Sequence, residues 1–211
     1  MEKAAKEIKK FNKIKNESFR DLIQLGYQEA DLNKSFAENN ILEGQTNKLK
    51  DFIWHSFHKL LHQNSNDFQM QSRVHWSIAV YSLKFEEGKN TNQQKTLSHL
   101  AKLNYFETID LGSDIEHGVV IISSKCDICQ KDKDKIFSIK ELRQNSVIPH
   151  LNCNCTGIGC TCMYGFKGLR DSKGRLIFKD FEYKKPSKKD DKLMREGAKS
   201  ILNLFSLFKR K

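Results

Sequence analysis

The sequence lacks the signals of a membrane-spanning or exported protein. No apolar run is long enough to cross a bilayer. The first ten residues are charged throughout and contain neither the apolar core nor the cleavage site of a secretory signal. Export is therefore not expected, and the cysteines should stay reduced. We expect a cytoplasmic protein or one packed in a virus particle.

The signatures of several enzyme classes are also missing. The chain has no His-x-Glu motif followed by Pro-Cys-x2-Cys, as in zinc deaminases, no Gly-x-Ser-x-Gly elbow and no Walker phosphate loop. No small-molecule substrate is evident from the residues. These absences favour a non-enzymatic protein.

A metal-dependent nuclease acting on DNA or RNA is the alternative. A His-Asn-His nuclease needs a second metal ligand beyond its general base, and no histidine follows His150. A restriction-type nuclease would use Asp171, Glu182 and Lys184 to hold Mg²⁺ and orient water.

The cysteines are concentrated in one segment. All six lie between residues 126 and 162, beginning with a Cys-x2-Cys pair, and a second group starts twenty residues later. This spacing suits a tetrahedral zinc ion, because each group comes from one tight turn and the gap lets the two turns meet. The candidate ligands are Cys126, Cys129, His150, Cys153, Cys155, Cys160 and Cys162.

Seven candidates exceed the four ligands of one structural zinc. Either Cys126, Cys129, His150 and Cys153 close one site, or thiols within residues 155–162 displace the histidine in an all-thiolate site. A second ion would require thiolates shared between two metals, and an iron–sulfur cluster also accepts four thiolates. We expect one Zn²⁺, with two ions as the alternative. Its role is expected to be structural, because a site closed by four protein ligands leaves no position for water.

The same segment carries a family resemblance. A strand run at residues 119–123 leads into the Cys-x2-Cys knuckle, Lys-Ile-Phe follows at residues 135–137, and Pro-His-Leu-Asn-Cys-Asn-Cys stands at residues 149–155. Residues 118–163 thereby resemble the C-terminal zinc-binding segment of the Mu F-like phage head morphogenesis (minor capsid) proteins. The resemblance implies a small zinc-stabilised β module, and it motivates the hypothesis that the protein takes part in assembling a phage-type particle.

Hydrophobic periodicity predicts helices in the first half and strands in the second. The helices are predicted at residues 2–27, 47–63, 67–87 and 92–102, with a loop over 28–46. Alternation then predicts a hairpin of strands 105–111 and 118–123 and a last strand at 175–178, which follows a turn at Gly174.

Positive charge is concentrated at the C-terminal end. The formal net charge is +11, and residues 184–211 contain ten Lys or Arg against three acidic residues, with apolar residues at helical spacing. This pattern predicts an amphipathic helix with a basic back, which could contact nucleic acid, an acidic protein surface, a membrane surface or the body of its own protein. The candidate nucleic-acid-binding residues are Lys184, Lys185, Lys188, Lys189, Lys192, Arg195 and Lys199.

Histidines outside the cysteine segment have simpler interpretations. His55, His58 and His62 share one face of a predicted helix, where they could bind metal or phosphate, although a solvated face is favoured. His117 could serve as a general base, but capping of a turn is the favoured role.

Together these features predict an α+β protein in three parts. Residues 1–103 form a helical region, 104–183 a β-rich zinc-binding module and 184–211 a basic amphipathic tail helix. The expected function is that of a zinc-stabilised binding or assembly protein that contacts nucleic acid or a protein assembly.

Overall fold

The computed structural model describes residues 2–86, 91–122, 127–150 and 160–179. The chain divides into one compact unit of residues 1–177 and a second of residues 178–211. All the elements below belong to the first unit. The predicted tail helix lies outside the described residues, and the domain boundaries after residues 103 and 183 stay predictions.

The N-terminal region is helical, as the sequence predicted. Five helices follow one another along the chain: α1 (Glu2–Gln24), α2 (Glu29–Glu38), α3 (Thr46–Gln63), α4 (Phe68–Phe85) and α5 (Thr91–Leu111). The Asp67 carboxylate caps α4 by accepting a hydrogen bond from the Met70 amide at 2.9 Å. The apolar faces of α1, α3 and α4 enclose a first core that includes Ile14, Leu22, Leu49, Ile53, Phe57 and Ile78. None of the described helices is both long and apolar enough to span a bilayer.

The loop predicted over residues 28–46 is wrong in its first half, because α2 lies there. This short helix buries Leu32 almost completely and places Phe36 against the rings of Phe19 and Phe52, with centroid distances of 5.5 and 5.6 Å. Only Leu32 and Phe36 of its ten residues are both large and apolar, so packing against α1 and α3, and not local pattern, holds this helix.

The strand predicted at residues 105–111 is also wrong. Helix α5 continues without a break to Leu111, so the predicted hairpin does not form. Leu103 and Phe106 are one helical turn apart and both enter a second core, which fixes the helical conformation. The alternation of apolar and polar residues after Leu103 fits a strand locally, but tertiary packing overrides that preference.

One small antiparallel sheet completes the described structure. Strand β1 (His117–Ile122) pairs with β2 (Met163–Gly168), and Ile121 lies opposite Tyr164. Phe137 exchanges two backbone hydrogen bonds with Val119, at 2.9 and 2.8 Å. The short helices α6 (Asp127–Gln130) and α7 (Ile139–Gln144) lie in the connection between the strands.

The second core joins α5, the sheet and α7. Its buried members include Leu103, Phe106, Val119, Ile121, Leu142, Ile148, Tyr164 and three cysteines. The strand predicted at residues 175–178 is reduced to isolated bridges, one of which pairs Arg170 with Leu176. The turn at Gly174 is confirmed by its positive φ of 78°.

The hydroxyl of Tyr164 organises the chain before the second group of cysteines. It accepts hydrogen bonds from the amides of Val147 and Ile148 at 3.0 and 3.1 Å, and the Tyr164 side chain is fully buried. The Ser146 hydroxyl lies 3.0 Å away and itself donates to the Ile148 carbonyl. The Tyr164 hydroxyl therefore donates to Ser146, and its hydrogen-bonding capacity is used in full.

We expect Tyr164→Phe to lower the free energy of unfolding by about 2–4 kcal/mol, because the buried Ile148 amide and the part-buried Val147 amide lose their only described acceptor. Urea denaturation followed by circular dichroism measures this change. Tyr105→Phe is the matched control, since Tyr105 is exposed and its hydroxyl should contribute less than about 0.5 kcal/mol. Equal effects of the two substitutions would contradict the assigned role of Tyr164.

Candidate metal centre

Three cysteines that are distant in sequence meet in the second core. Cys129 comes from α6, and Cys160 and Cys162 come from the segment that enters β2. Successive backbone turns follow α6, and one of their hydrogen bonds joins the Asp132 amide to the Cys129 carbonyl at 3.2 Å. The Lys95 ammonium of α5 donates to the carbonyl of Cys160 and so fastens the β2 side of the cluster.

The spacing of the three sulfur atoms fits a single metal ion. The Sγ atoms of Cys129 and Cys160 are 3.8 Å apart, and all three sulfurs lie within 4.8 Å of one another. With metal–sulfur bonds of about 2.3 Å, the edge of a regular tetrahedron is about 3.8 Å long. A disulfide would require about 2.05 Å, so no such bond joins Cys129 to Cys160. The three buried cysteines can therefore hold a metal ion.

The burial of the cluster defines what kind of centre it can be. The three cysteines are 0%, 2% and 2% exposed, so the sulfurs face protein and not solvent. Several thiolates in so small a buried space repel one another unless a cation offsets their charge. Soft thiolate donors select zinc, copper(I) or iron. This arrangement suits a structural ion, since an open coordination position would need access for water.

Among the described residues, this group includes neither ring nitrogen of His150. Its Nε2 lies instead 3.3 Å from Oδ2 of Asp132, without the geometry of a hydrogen bond. Of the two ligand sets left open by the sequence, the described sulfurs favour the all-thiolate one. The sequence identified the ligand pool, but spacing could not show that Cys129 would meet Cys160 and Cys162.

The chain was compared with protein-family models, with curated proteins and with solved structures. None of them matches it. The geometry of the sulfur cluster thus supports metal binding by itself, and the resemblance to phage head morphogenesis proteins stays a prediction.

Several predicted site residues fall outside the described part of the chain. Among the metal ligands these are Cys126, Cys153 and Cys155, and of the nuclease set they are Glu182 and Lys184. The candidate nucleic-acid-binding residues Lys184, Lys185, Lys188, Lys189, Lys192, Arg195 and Lys199 also lie there.

Asp171, the described member of the predicted nuclease set, organises a turn. Its Oδ1 accepts from the amides of Lys173 and Arg175 at 2.8 and 3.0 Å, and its Oδ2 accepts from the Arg175 guanidinium at 2.9 Å. Hydrogen bonds from Arg175, first from its backbone and then from its side chain, lower the pKa of this carboxyl group. Both carboxylate oxygens are therefore engaged within the turn.

Among the described residues, none of the histidines that the sequence analysis singled out beyond the cysteine segment belongs to the sulfur group. His55, His58 and His62 are exposed on α3, as expected of a solvated face. His117 lies at the start of β1, where its Nδ1 is 2.8 Å from the Asp110 carboxylate and its ring stacks on Phe166 at 4.4 Å. It therefore connects the end of α5 to the sheet and does not simply cap a turn.

A groove beside the three clustered cysteines was not anticipated from the sequence. It has a volume of about 610 Å³, and its lining includes Trp76 of α4, residues 160–163, and a row on α5 made of Lys95, His99, Lys102 and Tyr105. The positions of that row recur at three- and four-residue intervals, which is the spacing of one helix face. This regular row could have been recognised once α5 was extended through residue 105.

His99 forms part of the groove wall and is 6% exposed. Its ring packs edge-on against Tyr164 at 5.2 Å, and Nε2 has no hydrogen-bond partner among the described residues. Burial, aided by the positive charges of Lys102 and Lys95, lowers the pKa of His99 to about 4. The ring is thus neutral at pH 7.

This shift predicts an acid-sensitive contribution to stability. The unfolded chain binds a proton on His99 below its ordinary pKa of 6.5, whereas the folded chain binds it only near pH 4. The contribution is therefore fully present above pH 6.5 and lost progressively as the pH falls to about 4, by a total of about 3 kcal/mol.

We expect the free energy of unfolding of His99→Gln to fall less steeply than that of the wild type between these pH values. Urea denaturation at a series of pH values tests this. Acid-driven loss of metal is common to both proteins and cancels in the difference. Parallel curves for the two proteins would show that His99 does not carry the effect.

Proposed function

We propose that this chain is a non-enzymatic, zinc-stabilised binding and assembly protein, similar to phage head morphogenesis proteins, that contacts nucleic acid as part of its role. The observation that supports it best is the buried group of Cys129, Cys160 and Cys162, whose sulfurs are spaced for one tetrahedral ion. A closed site of this kind supplies folding energy and no open coordination position for chemistry.

Zinc is proposed over an iron–sulfur cluster because of the sulfur spacing. In a cubane cluster each iron carries one thiolate, so the protein sulfurs are separated by the width of the cluster. Three sulfurs within 4.8 Å of one another fit one ion better. We assign the fourth position to Cys126, since Cys-x2-Cys spacing lets two thiols from one turn bind the same ion.

The partner is proposed from charge and from the family resemblance. The chain carries a formal net charge of +11, a large part of it in residues 184–211. Such an excess favours phosphate backbones, and it is compatible with an assembly that packages nucleic acid. The nuclease alternative gains no support from Asp171, because the turn and Arg175 already use both of its oxygens.

We expect the purified, reduced protein to contain one zinc ion per chain, and Cys162→Ser to lose most of it. Elemental analysis measures the metal, and thermal unfolding with and without a chelator measures its contribution to stability. Thr161→Ala is the matched control, because this exposed residue stands between two proposed ligands. Native protein that holds no metal and unfolds identically with a chelator would contradict the proposal.

We also expect a salt-dependent gel shift with DNA or RNA that weakens when residues 184–211 are deleted. The affinity of the truncated chain should depend less steeply on salt, because fewer basic side chains neutralise phosphates and fewer counterions are released. The same samples, incubated with plasmid and Mg²⁺ or Mn²⁺, test for nuclease activity. Cleavage that Glu182→Ala abolishes would replace this proposal with the nuclease.

A further inference from the structure

The groove between α4 and α5, beside the metal centre, combines exposed aromatic rings with basic side chains. We propose that this α4–α5 groove binds single-stranded nucleic acid, with bases stacking on Trp76 and Tyr105 and with Lys95 and Lys102 facing phosphates. The proposal rests on the nucleic-acid contact proposed above and assigns that contact to described residues, none of which belongs to residues 184–211.

The two aromatic residues lie on neighbouring helices and are unusually exposed. Trp76 of α4 is 59% exposed and Tyr105 of α5 is 54% exposed, and both line the groove. Large aromatic rings left in water forgo the stabilisation that burial would supply. Rings held on rigid helices beside a groove are the stacking platforms that single-strand-binding proteins use, because every base offers a flat face.

The charges in the groove select the occupant. Lys95 and Lys102 line it, and none of its described lining residues is acidic. A second copy of this chain would bring the same lysines and a net charge of +11 to the contact, so self-association is disfavoured. A phosphate backbone supplies the opposite charge, and its unpaired bases supply the flat apolar surfaces that the rings require.

His99 provides a further polar group in the groove wall. Its Nε2 is buried and has no hydrogen-bond partner among the described residues, a condition that is unfavourable for a polar atom. A neutral imidazole can either donate or accept a hydrogen bond, and so can the edges of the bases. A movement of the half-buried Lys102 side chain would let a base edge reach this ring while Lys95 keeps its hydrogen bond to the Cys160 carbonyl.

The metal centre supports the same groove. The segment of residues 160–163 forms part of the lining, and two of its members are the proposed ligands Cys160 and Cys162. The Lys95 ammonium also donates to the Cys160 carbonyl, which ties the α5 side to this segment. Binding in the groove should therefore require the metal-bound form, although no ligand atom of the ion contacts the nucleic acid.

Tryptophan fluorescence provides a direct test, because the chain contains only Trp54 and Trp76. In a Trp54→Phe background the emission reports Trp76 alone. The probe is a dye-labelled deoxythymidine homopolymer, followed by anisotropy, with an unlabelled copy for the emission measurement. We expect saturable quenching of Trp76 with the same midpoint as the anisotropy change. Binding without quenching would overturn the proposed stacking.

Variants of the full chain then locate the site. Trp76→Ala and Tyr105→Ala should each weaken homopolymer binding by about tenfold or more, and Trp76→Phe should restore most of the affinity because it keeps a stacking ring. Leu83→Ala is the matched control, since Leu83 is comparably exposed on α4 but is not among the described lining residues. Zinc content and thermal unfolding, measured on every variant, show whether each still folds.

The possible outcomes separate this inference from the proposed function. If folded Trp76→Ala binds as tightly as the wild type while deletion of residues 184–211 abolishes binding, the groove assignment is wrong and nucleic-acid binding stands. If no nucleic acid binds to the wild type, both fail. Equal affinity for a duplex and for the homopolymer would overturn base stacking, and a monomer–dimer change on Trp76→Ala without loss of binding would identify a second copy as the occupant.

Discussion

The convergence of three thiols from α6 and the start of β2 is the constraint on which the second half of the described structure depends. A two-stranded sheet is marginal by itself, and the core that α5, α7 and the sheet share is small. The sulfurs of Cys129, Cys160 and Cys162 lie inside that core, so an ion bound there would cross-link segments that are about thirty residues apart. Such a cross-link would supply a small module with the stability that larger domains obtain from an extensive apolar core.

Hydrogen bonds extend this constraint beyond the sulfurs. Lys95 holds the carbonyl of Cys160, and Tyr164, four residues further along, gathers the amides of Val147 and Ile148. One short segment around β2 thus carries two of the clustered thiols and is fixed to α5 and to the chain around residues 147–148. Because these interactions share residues, their contributions to stability should be coupled and not additive.

The sequence predicts local features of this molecule better than long-range ones. Helices α1, α3 and α4 have apolar residues at regular intervals, so their existence follows from periodicity alone. Helix α2 and the end of α5 do not, because Leu32 and Phe106 are held by distant partners. Spacing likewise identified seven candidate ligands but not which of them lie together, since the proximity of Cys129 to Cys160 depends on how β1 and β2 pair. The groove was missed for the same reason, because its wall is formed by two helices and a segment far along the chain.

In the proposed function, the buried sulfur cluster serves the fold and the groove beside it serves binding. The sulfurs are buried and present no surface to a partner, whereas Trp76 and Tyr105 are exposed and contribute little to the two cores. Substitutions at the thiols should therefore act on folding first and on binding only as a consequence, while substitutions of the two rings should act on binding alone. If the cluster binds an ion and the groove binds nucleic acid, as proposed, the ion would control the affinity without touching the nucleic acid, because the segment that carries Cys160 and Cys162 is also a wall of the groove.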